Sequence, residues 1–223
     1  MNIYFYTALT HDPKYLMQCE FLLKSIRLVY PEAIPILCLF DEFKQKSIKR
    51  LRRANSRLVV RNRSEQFDPN LGFDTNFLRD LAECYRSVYG YVVALDADML
   101  VCKNFDDLLN SEFDVTATTR GYVESEHGRQ DICFGITIYS KNHPESVSAY
   151  FENLLMRAMK WHENGERPWF EVQTEINNIF LEDSNQLLEG YSHRAYETEK
   201  ELQWPETEKE LQWPESARLI SDR

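Results

Sequence analysis

Between Asn2 and Leu95 the chain alternates short apolar runs with longer amphipathic stretches, and this alternation limits its possible folds more than any other feature. Residues 2–7 (NIYFYT), 34–40 (IPILCLF), 57–61 (RLVVR) and 91–95 (YVVAL) have strand length and are rich in β-branched or aromatic side chains. Helical patterns separate them. The first opens at Asp12-Pro13, a cap followed by proline at the first helical position. Leu16, Cys19, Leu22, Leu23, Ile26 and Val29 follow at helical spacing until Pro31 stops the pattern. The second helix, 43–54, is basic, and the third covers 75–89. Strands that alternate with helices build a parallel sheet covered on both faces. The expectation is an α/β fold with a mostly parallel central sheet flanked by helices.

Ligands of such sheets sit at the carboxyl ends of the strands. At that end of the fourth strand the sequence reads Asp96-Ala97-Asp98, and apolar residues resume at once with Met99-Leu100-Val101. A D-x-D in a turn can be a simple cap. Here the preceding strand is wholly apolar and the acids are enclosed between apolar runs, which a cap does not require. Two carboxylates at a sheet's ligand edge suit a hard divalent cation such as Mg²⁺ or Mn²⁺, which takes oxygen ligands, water and substrate phosphates. An EF-hand is excluded: over residues 96–107, Val101 stands where the central glycine belongs and Asp107 where the closing glutamate belongs.

Beyond Asp98 the spacing predicts strands at 113–118 and 133–140 around a polar loop, 119–131. A helix starting at Asn142-His143-Pro144 is expected to run to about Trp161, and another covers 171–181. The nonapeptide ETEKELQWP occurs twice in tandem, over 197–205 and 206–214. Its prolines forbid one unbroken helix, and its length is too short for a solenoid repeat, so it reads as a duplicated surface segment. The division expected is one domain over 1–223, with a first half (1–101), a second half (102–196) and the duplicated segment (197–214).

A net charge of −10 and a pI near 5.1 argue against a general nucleic-acid backbone binder, though not against a nucleotide ligand. Five cysteines, an odd number with no C-x-x-C and with apolar neighbours, read as reduced core residues of a cytoplasmic protein. Neither a secretory leader nor an apolar span long enough for a bilayer is visible.

The stretch ALDADMLVCKNFDDLL resembles the D-x-D segment of GT-A-fold glycosyltransferases, above all the glycogenin and bacterial galactosyltransferase family: an apolar strand, D-A-D, an apolar triplet, then N-x-D-D-L. The resemblance continues elsewhere. Thr7-Ala8-Leu9-Thr10 and Asp12-Pro13-Lys14-Tyr15 are similar to the family's base-contacting segment after its first strand. Arg79 matches its diphosphate-contacting basic residue, Gly135-Ile136-Thr137-Ile138-Tyr139 its G-V-x-V-Y strand, and Gln173 to Asn177 its D-Q-x-x-L-N helix start. Three departures stand out. Cys133-Phe134-Gly135 replaces F-N-x-G, Val172 replaces the acid of D-Q, and the family's late H-x-x-G-x-x-K-P-W string is imitated only by residues 162–169, before the Gln173 helix.

The resemblance implies a single GT-A-like (Rossmann-like) domain with a smaller acceptor-side subregion, residues 1–101 being the nucleotide-binding half and 102–196 the acceptor-side half. It implies transfer of a sugar from a nucleotide diphosphate sugar, UDP-linked in the family, to a glycan or protein-linked acceptor, with Mn²⁺ or Mg²⁺ as cofactor. Asp96 and Asp98 would hold the metal, with His193 as third ligand and Asp222 as the other candidate. Thr7, Ala8, Tyr15, Arg79, Asp96 and Ala97 would line the donor. Asp98 and Gln173 would be catalytic, and the anomeric configuration would be retained. An inverting route would instead need a carboxylate base, for which Glu171 and Glu175 are the candidates. Two alternatives stay open: a haloacid-dehalogenase-type phosphatase using Asp96 and Asp98, and a non-catalytic sugar- or nucleotide-binding module on the same fold.

Overall fold

The computed structural model describes residues 2–10, 12–119, 124–125, 128–129, 132–165, 171–184 and 193–196. Strand β1 (Ile3–Leu9) leads into helix α1 (Pro13–Val29), then β2 (Ile34–Leu39), α2 (Gln45–Ala54), β3 (Val59–Asn62), α3 (Phe73–Ser87) and β4 (Tyr91–Leu95). The short helix α4 (Asp106–Leu109) follows, then β5 (Val115–Thr119) and a small hairpin of β6 (Glu124–Ser125) and β7 (Gly128–Arg129). Strand β8 (Ile132–Tyr139), helices α5 (Pro144–Glu163) and α6 (Glu171–Ser184), and β9 (His193–Tyr196) complete the order.

The main sheet has seven strands in the order β3-β2-β1-β4-β8-β5-β9. The β3, β2, β1 and β4 strands are mutually parallel, as the strand–helix alternation predicts. Strand β8 runs antiparallel to both β4 and β5, and β9 lies parallel to β5. The sheet is therefore mostly parallel, with one reversed strand.

Helices cover both faces, which is why β4 can be apolar at every position. Successive side chains of β4 point to opposite faces. Val92 and Ala94 enter a core built with α3, α5 and α6. Tyr91, Val93 and Leu95 enter a second core with Leu22 and Ile26 of α1. Leu37 and Leu39 of β2 pack in a third cluster with Leu51 and Ala54 of α2, on the α1 side of the sheet. At the start of α1 the Asp12 carboxylate accepts the Lys14 N–H at 2.7 Å, with Pro13 in the first turn. The Asp-Pro pair thus acts as a helix start, as its sequence predicts.

Several expectations need correction. Strand β1 runs to Leu9 rather than to Thr7, because Ala8 and Leu9 still find partners in Cys38 and Leu39 of β2. The stretch read as a loop over 119–131 contains the β6–β7 hairpin. Cys19, Cys38 and Cys84 are buried thiols, but Cys102 is exposed, since the chain crosses the end of the sheet there. The Cys133 side chain, the nonapeptide pair at 197–214 and Asp222 lie outside the described residues.

Candidate functional site

Strand order places the site. From β1 the chain moves outward to β2 and β3, then returns to lay β4 on the other side of β1. The carboxyl ends of β1 and β4 thus flank the point where the winding reverses, the crevice in which open α/β sheets hold ligands. The pairing of Tyr6 with Ala94 sets the residues that follow β4 beside the last residues of β1. Asp96 is the first residue beyond β4.

The D-x-D segment is a tight turn, since the Met99 N–H donates to the Asp96 carbonyl at 3.2 Å. Ala97 turns inward and packs with Leu9, Leu23 and Leu39, while Asp96 and Asp98 on either side are exposed. A small apolar residue between two acids is what this geometry needs: the middle side chain pins the turn to the core and both carboxylates face solvent.

Beneath this turn lies Gly135. The Asp96 N–H donates to the Gly135 carbonyl at 3.0 Å, extending the β4–β8 ladder by one residue. The β5–β8 register breaks between Ala117 and Thr118, so β8 is irregular where it passes Asp96. Such breaks commonly re-aim side chains beside sites. A Cβ on Gly135 would stand 2.7 Å from Asp96 Oδ2 and 2.5 Å from Met99 Cε. The absent side chain is the space that the Asp96 carboxylate occupies.

Other predicted residues fall around this centre to differing degrees. Thr7 and Ala8 are buried at the end of β1, and among the described residues the Thr7 hydroxyl has no hydrogen-bond partner. Tyr15, in the first turn of α1 beyond that same strand end, is 38 % exposed. Its ring lies 5.8 Å from Lys14 Nζ. Arg79 is exposed on α3. Gln173 is 5 % exposed on α6, where its carbonyl accepts Asn177 Nδ2 at 2.8 Å. His193 opens β9 opposite Val115, and its side chain lies outside the described residues. Glu175 is buried and accepts Trp161 Nε1 at 2.7 Å, which ties the carboxylate to α5 rather than offering it to a substrate. The Glu171 side chain is not among those described.

Sequence reasoning passed over the groups that hold the segment after Asp98. Ser25 Oγ accepts the Val101 N–H at 3.0 Å, and Tyr30 Oη accepts the Phe105 N–H at 2.6 Å. Burial pushes the Tyr30 phenol up to about 12, so it stays neutral in that bond. Both residues belong to the α1 region, read only as an amphipathic helix. Their polar tips amid the apolar stripe were the available signal.

The described residues contain no cluster of three or more His, Cys, Asp or Glu suited to a metal. Two exposed carboxylates over a glycine-sized recess still fit Mg²⁺ or Mn²⁺, which often bind through one or two carboxylates, with the rest from water and phosphate oxygens.

The molecule shares its architecture with solved glycosyltransferases. The glycosyltransferase GlyE of Streptococcus pneumoniae TIGR4 aligns with a TM-score of 0.55 at 16% identity, over 87% of this chain and 45% of GlyE. The galactosyltransferase LgtC, solved with donor and acceptor sugar analogs, gives 0.54 at 13% identity, over 81% of this chain and 70% of LgtC. The chain has the GT-A fold. WbbM, a bifunctional glycosyltransferase, gives a TM-score of 0.51 at 15% identity, over 80% of this chain and 37% of WbbM. This chain spans less than half the length of GlyE and WbbM. No family model and no curated protein sequence matches it. Within the GT-A fold, the D-x-D turn at the winding reversal is the candidate donor site.

Proposed function

We propose that this chain is a glycosyltransferase that moves a sugar from a nucleotide diphosphate donor, UDP-linked, to a glycan or protein-linked acceptor. The observation that carries the reading is the pair of exposed carboxylates, Asp96 and Asp98, at the strand-order reversal of a GT-A fold, with Gly135 leaving room beneath them. Donor and acceptor sugar analogs bound to LgtC support the same division of partners here.

In this reading Asp98 and Asp96 hold Mn²⁺ or Mg²⁺, and Asp96 also meets the donor ribose. When bound, the cation neutralises charge that grows on the departing diphosphate. Tyr15 offers an exposed ring to the base. Thr7, Ala8 and Ala97 form the floor of the crevice, and Arg79 supplies a cation toward phosphate or donor sugar. Gln173 lies by the reacting carbon in a retaining transfer, while the binding of Glu175 to Trp161 weighs against an inverting base at that position. The register that aligns His193 with Val115, Tyr139 and Val92, at the far end of β4 from Asp98, weighs against it as the third metal ligand and leaves that place to water or phosphate oxygens. The phosphatase alternative loses ground because its D-x-D belongs on the opening strand of the domain, whereas here it ends β4. The buried thiols Cys19, Cys38 and Cys84 suit a cytoplasmic setting, and no described helix is long and apolar enough to cross a membrane.

Calorimetric titration of UDP and of GDP into the chain, with Mn²⁺ or with EDTA, tests the proposal. The expected result is UDP binding that requires the metal, followed by slow hydrolysis of one UDP-sugar without acceptor. Absence of nucleotide binding in every condition would refute it, and metal-dependent binding without turnover of any donor would favour the binding-module alternative.

A further inference from the structure

The basic helix of the sequence plays no part in the donor site. Nine of the chain's 26 Lys and Arg, and none of its 36 Asp and Glu, fall between Lys44 and Arg63. Two of the nine turn inward, since Arg61 and Arg63 bind Asp80 and Glu83. The other seven, Lys44, Lys46, Lys49, Arg50, Arg52, Arg53 and Arg57, are all exposed.

The fold gathers these charges on one surface. Helix α2 buries Leu51 and Ala54 against β2 and α1, which turns its cationic side outward. On that side Lys46, Lys49, Arg50 and Arg53 follow helical spacing and form one stripe. Helix α1 lies alongside and adds to it. Glu20 bridges Lys24 and Arg50, and Arg27 Nη1 donates to the Arg53 carbonyl at 3.5 Å. Glu20 and Glu32, the latter paired with Arg57, are the carboxylates bound to this surface among the described residues. Lys46, Lys49, Arg52 and Arg53 form no ion pair with a described carboxylate. In a chain of net charge −10 this is a concentrated excess of positive charge.

An apolar group lies within it. Leu28 is 79 % exposed, shares an α1 face with Lys24, and follows Arg27. A stripe of cations beside a protruding leucine matches an anionic bilayer surface, where Lys and Arg meet headgroup phosphates and the leucine enters the acyl boundary. A single-stranded nucleic acid needs aromatic platforms as well as charge. Among the described residues the exposed aromatics are Tyr15, at the other end of α1 from Arg27, and Phe73 and Tyr89, which lie on neither helix.

We infer that the α1–α2 flank is a peripheral docking surface for an anionic lipid bilayer. Helix α2 starts just beyond the carboxyl end of β2, on the sheet edge that also carries Asp96 and Asp98. A chain docked this way holds that edge close to the membrane plane. The inference is independent of the donor-site reading.

Co-sedimentation of the full chain with vesicles tests it, using pure phosphatidylcholine and a phosphatidylcholine–phosphatidylglycerol mixture at low and high salt. Binding is expected only to the anionic vesicles, and weaker at high salt. The triple variant Lys46→Gln/Lys49→Gln/Arg53→Gln should lose about a hundredfold in partitioning, at about fivefold per cation, with its melting temperature unchanged. Leu28→Ser should weaken vesicle binding several-fold without altering the salt dependence. Equal partitioning of wild type and triple variant, or no binding to anionic vesicles, would overturn the inference. So would a duplex oligonucleotide that binds as tightly as the vesicles and is indifferent to Leu28→Ser, since the surface would then be a general polyanion site.

Discussion

Asp98 stands exposed on a turn whose middle residue, Ala97, is fixed in the core, so its carboxylate can change without loss of packing. Asp98→Asn should therefore fold normally and lower Mn²⁺ affinity by at least about tenfold, or ~1.4 kcal/mol. Unchanged affinity in a metal titration would remove Asp98 from the cation. Gly135 gives a sharper case, because it touches no ligand itself. Gly135→Ala places a methyl 2.7 Å from Asp96 Oδ2 and 2.5 Å from Met99 Cε. Met99 Cε is the end of a flexible side chain and can yield, so the lasting effect falls on Asp96. We predict about 10- to 100-fold weaker metal binding, in the range seen when groups behind metal ligands are disturbed. Adding Met99→Ala should not restore it. Restoration would mean that the clash with Met99 alone caused the loss. The two acids were legible in the sequence because a local pattern carries them. The demand for glycine at position 135 was not, since its cause lies across the sheet in a strand far away along the chain.

Elements are tied together by a buried charge cluster that periodicity cannot reveal. Asp80 of α3 receives Arg61 Nη2 at 2.8 Å, Arg63 Nε at 2.6 Å and the Tyr6 hydroxyl at 2.8 Å, and so joins β1, β3 and α3. Burial works to raise its pKa, but the bonds from Arg61 and Tyr6 outweigh that and hold the carboxyl below its ordinary value. The sign of the linkage follows. A depressed folded pKa adds stability above the unfolded value, about 3.9, that is lost as pH falls through the lower folded one. Asp80→Asn should cost about 3 kcal/mol in urea unfolding, because two inward-facing arginines lose their buried charge partner and keep only the exposed Glu83. It should also flatten the acid limb of stability against pH below about 4. Loss of under about 1 kcal/mol would show the cluster to be dispensable. The same distinction explains which elements were legible. Amphipathic spacing announced α1, α3 and α5, and their strands, because each carries its own pattern. The extra length of β1 and the existence of β9 depend on partners, Cys38 and Leu39 in one case and β5 in the other. The β6–β7 hairpin, two residues to a strand, is too short to show a period.

At the scale of the whole molecule, the proposed donor site draws on separate parts of the chain. The ends of β1 and β4 form its walls, α1 grips the segment after Asp98 through Ser25 and Tyr30, and β8 supplies the recess at Gly135. A ligand seated there contacts groups that exist together only in the folded state, so it must stabilise the entire molecule by mass action. At a hundredfold excess over its dissociation constant the gain is about 2.7 kcal/mol. For a chain of this size each kcal/mol raises the melting temperature by about 2–4 °C, so UDP with Mn²⁺ should raise it by about 5–10 °C. Because Asp96 and Asp98 present only negative charge to a diphosphate, UDP in EDTA should give almost no shift. Differential scanning calorimetry of the four combinations of UDP and Mn²⁺ decides the matter. A shift that needs both supports the metal role of Asp96 and Asp98. A full shift with UDP in EDTA would show that the chain's own cations hold the nucleotide, and the metal role of Asp96 and Asp98 would fall.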